Sequence, residues 1–258
     1  MEQMAGGLRI GAVAYLNTKP LIEGLVQLLP DSNLVLETPS RLACWMKAGK
    51  LDVGLIPVAE YIRAKNYSMV PGLGITSFGP VESVLLLTRF GLPQLKILAL
   101  DEGSRTSSAL TKIMLAEKHK IYPEIVNYPM SATTVSSLVD GILLIGDRAM
   151  SMRPSDFNIE WDLGDEWTKE TGLPFVYAVW AIRPGLQLSN SQIESFHLAY
   201  RQGIARLTEI ARRESKKHGC SEAFIVENLT KKIGFTVGEK ELEGLEVFRQ
   251  KLEFFERN

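Results

Sequence analysis

The chain has 258 residues, 45% of them hydrophobic and 23% charged, with a formal net charge of −1. That length suits two lobes of ordinary size, and the composition excludes a disordered, collagen-like or disulfide-dense chain. The balanced charge excludes the bulk basic field of a nucleic-acid binder, and no apolar stretch approaches the ~18 residues of a membrane span.

Residues 8–14 are a short apolar run and predict a buried strand. Residues 20–29 predict a helix, with Pro20 in the first turn, where a missing N–H costs nothing. A second strand at 34–37 is followed by a helix over 39–49, with Leu42 and Trp45 on one face and Gly49 at its end. A third strand at 51–56 and a helix at 57–65 complete a β-α-β-α-β-α series, the signature of a parallel sheet with crossover helices. Residues 82–88 read as an extended connector leading into Gly91-Leu92-Pro93. A fresh α/β pattern follows: strand 96–100, helix 106–119, strand 124–127, helix 132–139 and strand 141–145. Gly172-Leu173-Pro174 reads as a second connector, then comes the apolar run 175–182, and after it the chain reads as nearly all helix. There Ile193, Phe196, Tyr200, Ile204 and Leu207 form one apolar stripe, and Leu242, Leu245, Phe248, Leu252 and Phe255 another. The last stripe packs either on its own lobe or on a second copy of the chain, so a homodimer stays open.

Crossings near residues 88 and 174 predict a two-lobed α/β fold with a cleft between the lobes and a helical C-terminal region. One lobe is discontinuous, from 1–87 and 175–258; the other is the insert 88–174. Such a cleft closes by hinge motion and takes ligands beyond the carboxyl ends of its strands.

The chain has no G-x-G-x-x-G, Walker, H-E-x-x-H or G-x-S-x-G motif. Its two cysteines, Cys44 and Cys220, and three histidines show no metal spacing, so no metal is expected. The amino terminus lacks the basic and apolar regions of a signal peptide, which points to the cytoplasm.

Polar residues at strand ends are the candidates for chemistry. Asn17 and Thr18, before the Pro20 helix, either cradle a small anion or carbonyl or simply cap the helix. Thr106 and Ser107 open another helix after Gly103 and pose the same choice for a carboxylate. Ser83 can reach the cleft wall. Gly146 and Asp147 end a strand, with Asp147 either a base or a helix cap. Arg41 either meets a ligand carboxylate or lies on the surface. From the residues alone, the function is that of a two-lobed binder of a small anion.

A set of segments in order resembles the chorismate dehydratase family of menaquinone biosynthesis by the futalosine route. They are 14–21 (Ala-Tyr-Leu-Asn-Thr-Lys-Pro-Leu), 49–61 around Asp52-Val53-Gly54-Leu55-Ile56-Pro57, 77–84 (Ser-Phe-Gly-Pro-Val-Glu-Ser-Val), 102–107 (Glu-Gly-Ser-Arg-Thr-Ser), 145–147 (Ile-Gly-Asp) and 171–180. The resemblance implies a type II periplasmic-binding-protein-like fold and a cytoplasmic hydro-lyase with no metal or organic cofactor. It implies loss of water from the dicarboxylate chorismate, giving 3-[(1-carboxyvinyl)oxy]benzoate. On that basis Thr106 and Ser107 are expected to bind one carboxylate with help from Ser83, and Asn17 to hold the C4 hydroxyl or the other polar end of the ring. Thr18, Arg41 and Gly146 are further expected substrate contacts. The base is either Asp147 or the substrate's own enolpyruvyl carboxylate. The alternatives are the sister enzyme that makes 1,4-dihydroxy-6-naphthoate and a non-catalytic anion binder or effector domain of the same fold.

Overall fold

The computed structural model describes residues 7–152 and 154–257. β1 (Arg9–Val13) lies inside a sheet, between parallel β2 (Asn33–Glu37) and β3 (Val53–Pro57). That interior position explains why residues 10–13 and all of β3 are buried rather than alternating. The helix expected over 20–29 is two short pieces, α1 (Lys19–Ile22) and α2 (Leu25–Leu28). They part at Gly24, whose φ of 73° a helix interior does not accept. α3 (Pro39–Lys47) buries Leu42, Ala43 and Met46, leaving Trp45 at its flank, and α4 (Val58–Ala64) follows β3.

β4 (Ser68–Ser77) ends the first pass through this sheet, and β5 (Val84–Thr88) opens the second. From sequence, residues 84–87 belong with the first lobe. Their antiparallel ladder, Val84↔Ile145 through Thr88↔Gly141, puts them in the second sheet instead. The crossing therefore lies before Val84, and Gly91-Leu92-Pro93 is a turn within the second lobe, leading to β6 (Ile97–Asp101). α5 (Thr106–Met114), β7 (Glu124–Tyr128), β8 (Gly141–Ile145), α6 (Gly146–Ser151), β9 (Ile159–Asp162) and α7 (Leu163–Thr171) complete this part. No helix forms at 132–139.

β10 (Phe175–Ile182) returns to the first sheet, antiparallel to both β3 and β4. α8 (Asn190–Ala205), α9 (Leu207–His218), α10 (Glu222–Glu227), β11 (Gly234–Thr236) and α11 (Glu239–Arg257) form the tail, so the tail is not all helix. The sheets run β11-β4-β10-β3-β1-β2 and β7-β6-β8-β5-β9.

In the second sheet, alternate residues face opposite ways. Val84, Leu86, Leu143 and Ile145 join the large core shared with the first sheet, while Leu85, Leu87, Ile142 and Leu144 pack in a smaller outer cluster. Leu245, Phe248 and Leu252 of α11 are buried, with the Phe248 ring 5.1 Å from Phe175 and 6.2 Å from Trp167. The last stripe thus packs within its own chain, leaving Leu242 exposed. α8 turns Phe196, Ala199 and Gly203 inward and leaves Ile204 exposed. The reason is close approach: a Cβ at Gly203 would stand 2.0 Å from the Pro20 carbonyl oxygen. Among the described residues no helix is long and apolar enough to cross a membrane.

Candidate functional site

The cleft opens where β1, β3, β5, β6 and β8 deliver their ends, and its empty space, open solvent included, is about 570 Å³. Val13 and Tyr15 line it from the first lobe, by the period-two alternation of an extended chain, and Asn17 joins them from the Leu16–Thr18 turn that follows. Ser83, Gly103, Ser104, Arg105, Thr106, Ser107, Ile145 and Gly146 line it from the second lobe and the crossing. Tyr177 and Ala178 of β10 form its floor.

Of the sequence candidates, Asn17, Ser83, Thr106, Ser107 and Gly146 come together on this lining; Thr18, Arg41 and Asp147 do not. Thr18 is wholly buried. Arg41 is 63% exposed, pairs with Glu37 at 3.4 Å and lies over the Trp45 ring at 5.3 Å. Asp147 turns away from the cleft: one carboxylate oxygen accepts the Leu16 N–H at 3.1 Å, and the other lies 3.2 Å from His218 Nδ1. Burial raises its pKa above the ordinary carboxyl value.

The hydroxyls differ in what they have left to offer. Thr106 Oγ1 donates to the Tyr177 carbonyl at 3.1 Å and accepts from Ala59 N–H at 3.2 Å, so it is a strut between the lobes. The Ser107 hydroxyl has no such engagement among the described residues. The first-turn N–H groups of Thr106 and Ser107 are those that a helix leaves without intrahelical partners. Ser104 Oγ accepts the Ser108 N–H at 3.1 Å and holds that turn open at the cleft. Gly146 donates its N–H to the Ser83 carbonyl at 2.8 Å and has φ +54°. A Cβ there would stand 2.7 Å from the Tyr15 ring, so a side chain would push Tyr15 out of place.

Two lining residues, Tyr15 and Arg105, carry functional promise that had no role from sequence, and Asn17 joins them. Tyr15 Oη and Asn17 Oδ1 are buried without a hydrogen-bond partner among the described residues, an arrangement that costs stability unless a ligand meets it. Burial, then the nearby Asp101 and Asp147 charges, raise the Tyr15 pKa, so the phenol stays a donor. Arg105 is exposed at the rim and, among the described residues, is the single charged side chain on the lining. The alternation Val13, Tyr15, Asn17 could have found Tyr15; nothing local singles out Arg105. Among the described residues no three His, Cys, Asp or Glu side chains gather as metal ligands.

Two α/β lobes around a cleft built at strand ends define a periplasmic-binding-protein-like architecture. The periplasmic aliphatic sulphonate binding protein SsuA of Escherichia coli superposes with a TM-score of 0.59 at 14% identity, over 98% of this chain and 92% of its own. A crystallised Archaeoglobus fulgidus protein superposes more fully, with a TM-score of 0.79 at 18% identity, over 99% of this chain and 100% of its own. The chain belongs to the menaquinone-biosynthesis family, whose profile matches residues 8–253. A relative described as chorismate dehydratase, from Thermus thermophilus, is 30% identical over 227 residues, which is 81% of this chain and 82% of that protein.

Proposed function

We propose that this protein is a chorismate dehydratase, converting chorismate to 3-[(1-carboxyvinyl)oxy]benzoate and water on the futalosine route to menaquinone. The observation that carries the proposal is the lining of the cleft: among the described residues it has one cation, no carboxylate, and two buried polar atoms without partners. Such a lining suits a dianion that brings its own base. The family and the Thermus thermophilus relative support the same substrate. The enzyme is taken to act in the cytoplasm on this small dicarboxylate, independently of nucleic acid.

Chorismate carries a ring carboxylate, an enolpyruvyl ether at C3 and a hydroxyl at C4. Loss of the C3 proton and the C4 hydroxyl makes the ring aromatic, so the driving force lies in the product. The protein must hold the dianion, stabilise charge that spreads into the ring carboxylate, and exclude competing rearrangements. In this scheme Arg105, the Ser107 hydroxyl and the first N–H groups of α5 take the ring carboxylate, with Ser83 beside them. Thr106 keeps the lobes in register. Asn17 and Tyr15 hold the C4 hydroxyl.

Asp147 is spent on Leu16 and His218, and a third carboxylate beside the two of the dianion would add repulsion. The enolpyruvyl carboxylate, a few bonds from C3–H, therefore takes the proton. The C–H electron pair moves into the ring, the C4–O bond breaks with its pair, and the hydroxide leaves as water with the proton taken from C3. Chelator-treated protein incubated with chorismate is expected to yield a product lighter by one water, followed by chromatography and mass. Folded protein that binds chorismate without consuming it would reject the proposal.

A further inference from the structure

A run of charged groups beside the cleft is not used by the chemistry above. Glu214, buried on α9, receives Arg213 Nε at 3.2 Å and Lys217 Nζ at 3.3 Å, and lies within the field of Lys19. His218 Nε2 lies 3.5 Å from Glu214, and its Nδ1 3.2 Å from Asp147. Asp147, which Lys19 also faces, accepts the Leu16 N–H. The imidazole therefore sits between two carboxylates, one on the tail helix and one on α6 of the second lobe, and the second grips the turn that presents Asn17.

We infer that His218 is a positioning residue: with Asp147 it latches the second lobe and the tail over the Leu16–Thr18 turn, holding Asn17 and Tyr15 at the cleft. Each ring nitrogen faces one carboxylate, Nδ1 toward Asp147 and Nε2 toward Glu214, so the ring bridges α6 and α9 and its loss frees Asp147 from the tail. The order of the latch also explains why the Tyr15 and Asn17 atoms stay buried without partners: the turn cannot relax to satisfy them.

The test is His218→Ala and His218→Gln in the full chain, with two readouts. Hydrogen exchange at Leu16, measured without substrate, is expected to quicken about five- to tenfold in His218→Ala. The kinetic readout rests on the dehydratase proposal; the exchange readout does not, so the two can fail separately. In His218→Ala, kcat is expected to fall about tenfold or more with KM changed less, because misplacement costs rate more than binding. His218→Gln, whose amide still offers a donor to one carboxylate, is expected to recover part of kcat. Unchanged Leu16 exchange in His218→Ala overturns the latch even if turnover falls. If that variant does not fold, His218→Leu, which fills the volume without a polar group, overturns it equally by leaving Leu16 exchange unchanged.

Discussion

The two ends of β1 treat polar groups in opposite ways. At its start, Arg9 meets Asp52 through two side-chain hydrogen bonds of 2.9 Å, Arg183 adds a third at 2.7 Å, and the Arg9 N–H a fourth. Asp52 is fully buried and fully engaged, and these partners pull its pKa down against the desolvation that alone would raise it. Just beyond the other end, in the turn that follows the strand, Tyr15 Oη and Asn17 Oδ1 are buried with no partner among the described residues. The saturated group serves the scaffold; the unsatisfied pair on the cleft lining is what the proposed substrate would complete.

The contrast predicts variants that separate turnover from stability. Asn17→Ala is expected to lower kcat/KM about 10²- to 10³-fold, as loss of a positioned polar group does, with the melting temperature kept. Asp52→Ala is expected to do the reverse, costing about 3 kcal/mol in denaturant unfolding while turnover per folded molecule is unchanged. The cost falls at the low end for a buried pair because both arginines reach water. The Asp52 contribution also fixes an acid limb. Its pKa is lower folded than unfolded, so its stabilisation is complete above about pH 4 and erodes as pH falls below that. Thermal melts from pH 3 to 6 are expected to show a shallower acid loss in Asp52→Asn than in the wild type.

Smaller effects sharpen the assignment at the cleft end. Tyr15→Phe removes a donor but no volume, and is expected to lower kcat about tenfold in steady-state assays. Arg105→Gln removes the one cation of the lining and is expected to raise KM several-fold, with the wild-type affinity falling as salt rises. Arg41→Ala is expected to change kcat/KM less than twofold, since its guanidinium is held by Glu37 and Trp45 at the surface. A large loss there would mean that the cleft reaches further than its lining.

The parts of the fold written in local pattern were legible. Apolar runs marked β1, β3 and β8 because both their faces are covered. β4 escaped notice because Pro71, Gly72 and Gly74 interrupt its run; Gly74 is there because a Cβ would stand 2.7 Å from the Ala178 carbonyl oxygen. The helix expected at 132–139 is rich in Ser and Thr, which compete for their own backbone. Its carbonyls at Ala132, Ser136 and Val139 are taken by Arg148 and Arg89 instead. In the site, strand-end motifs located the cleft, but not which groups remain free. Thr106 is a strut because of Ala59 and Tyr177, and Asp147 faces outward because of His218, partners far away in sequence.

The measurement that bears most directly on this division of labour is a crystal structure with 3-[(1-carboxyvinyl)oxy]benzoate bound. The expected result is product in the cleft, with Tyr15 Oη and Asn17 both within about 3.2 Å of its polar atoms, Arg105 on a carboxylate, and Asp147 still on Leu16 and His218. Product seated elsewhere, for example in the open groove beside Arg63 and Lys112, or Tyr15 and Asn17 still without partners, would contradict it.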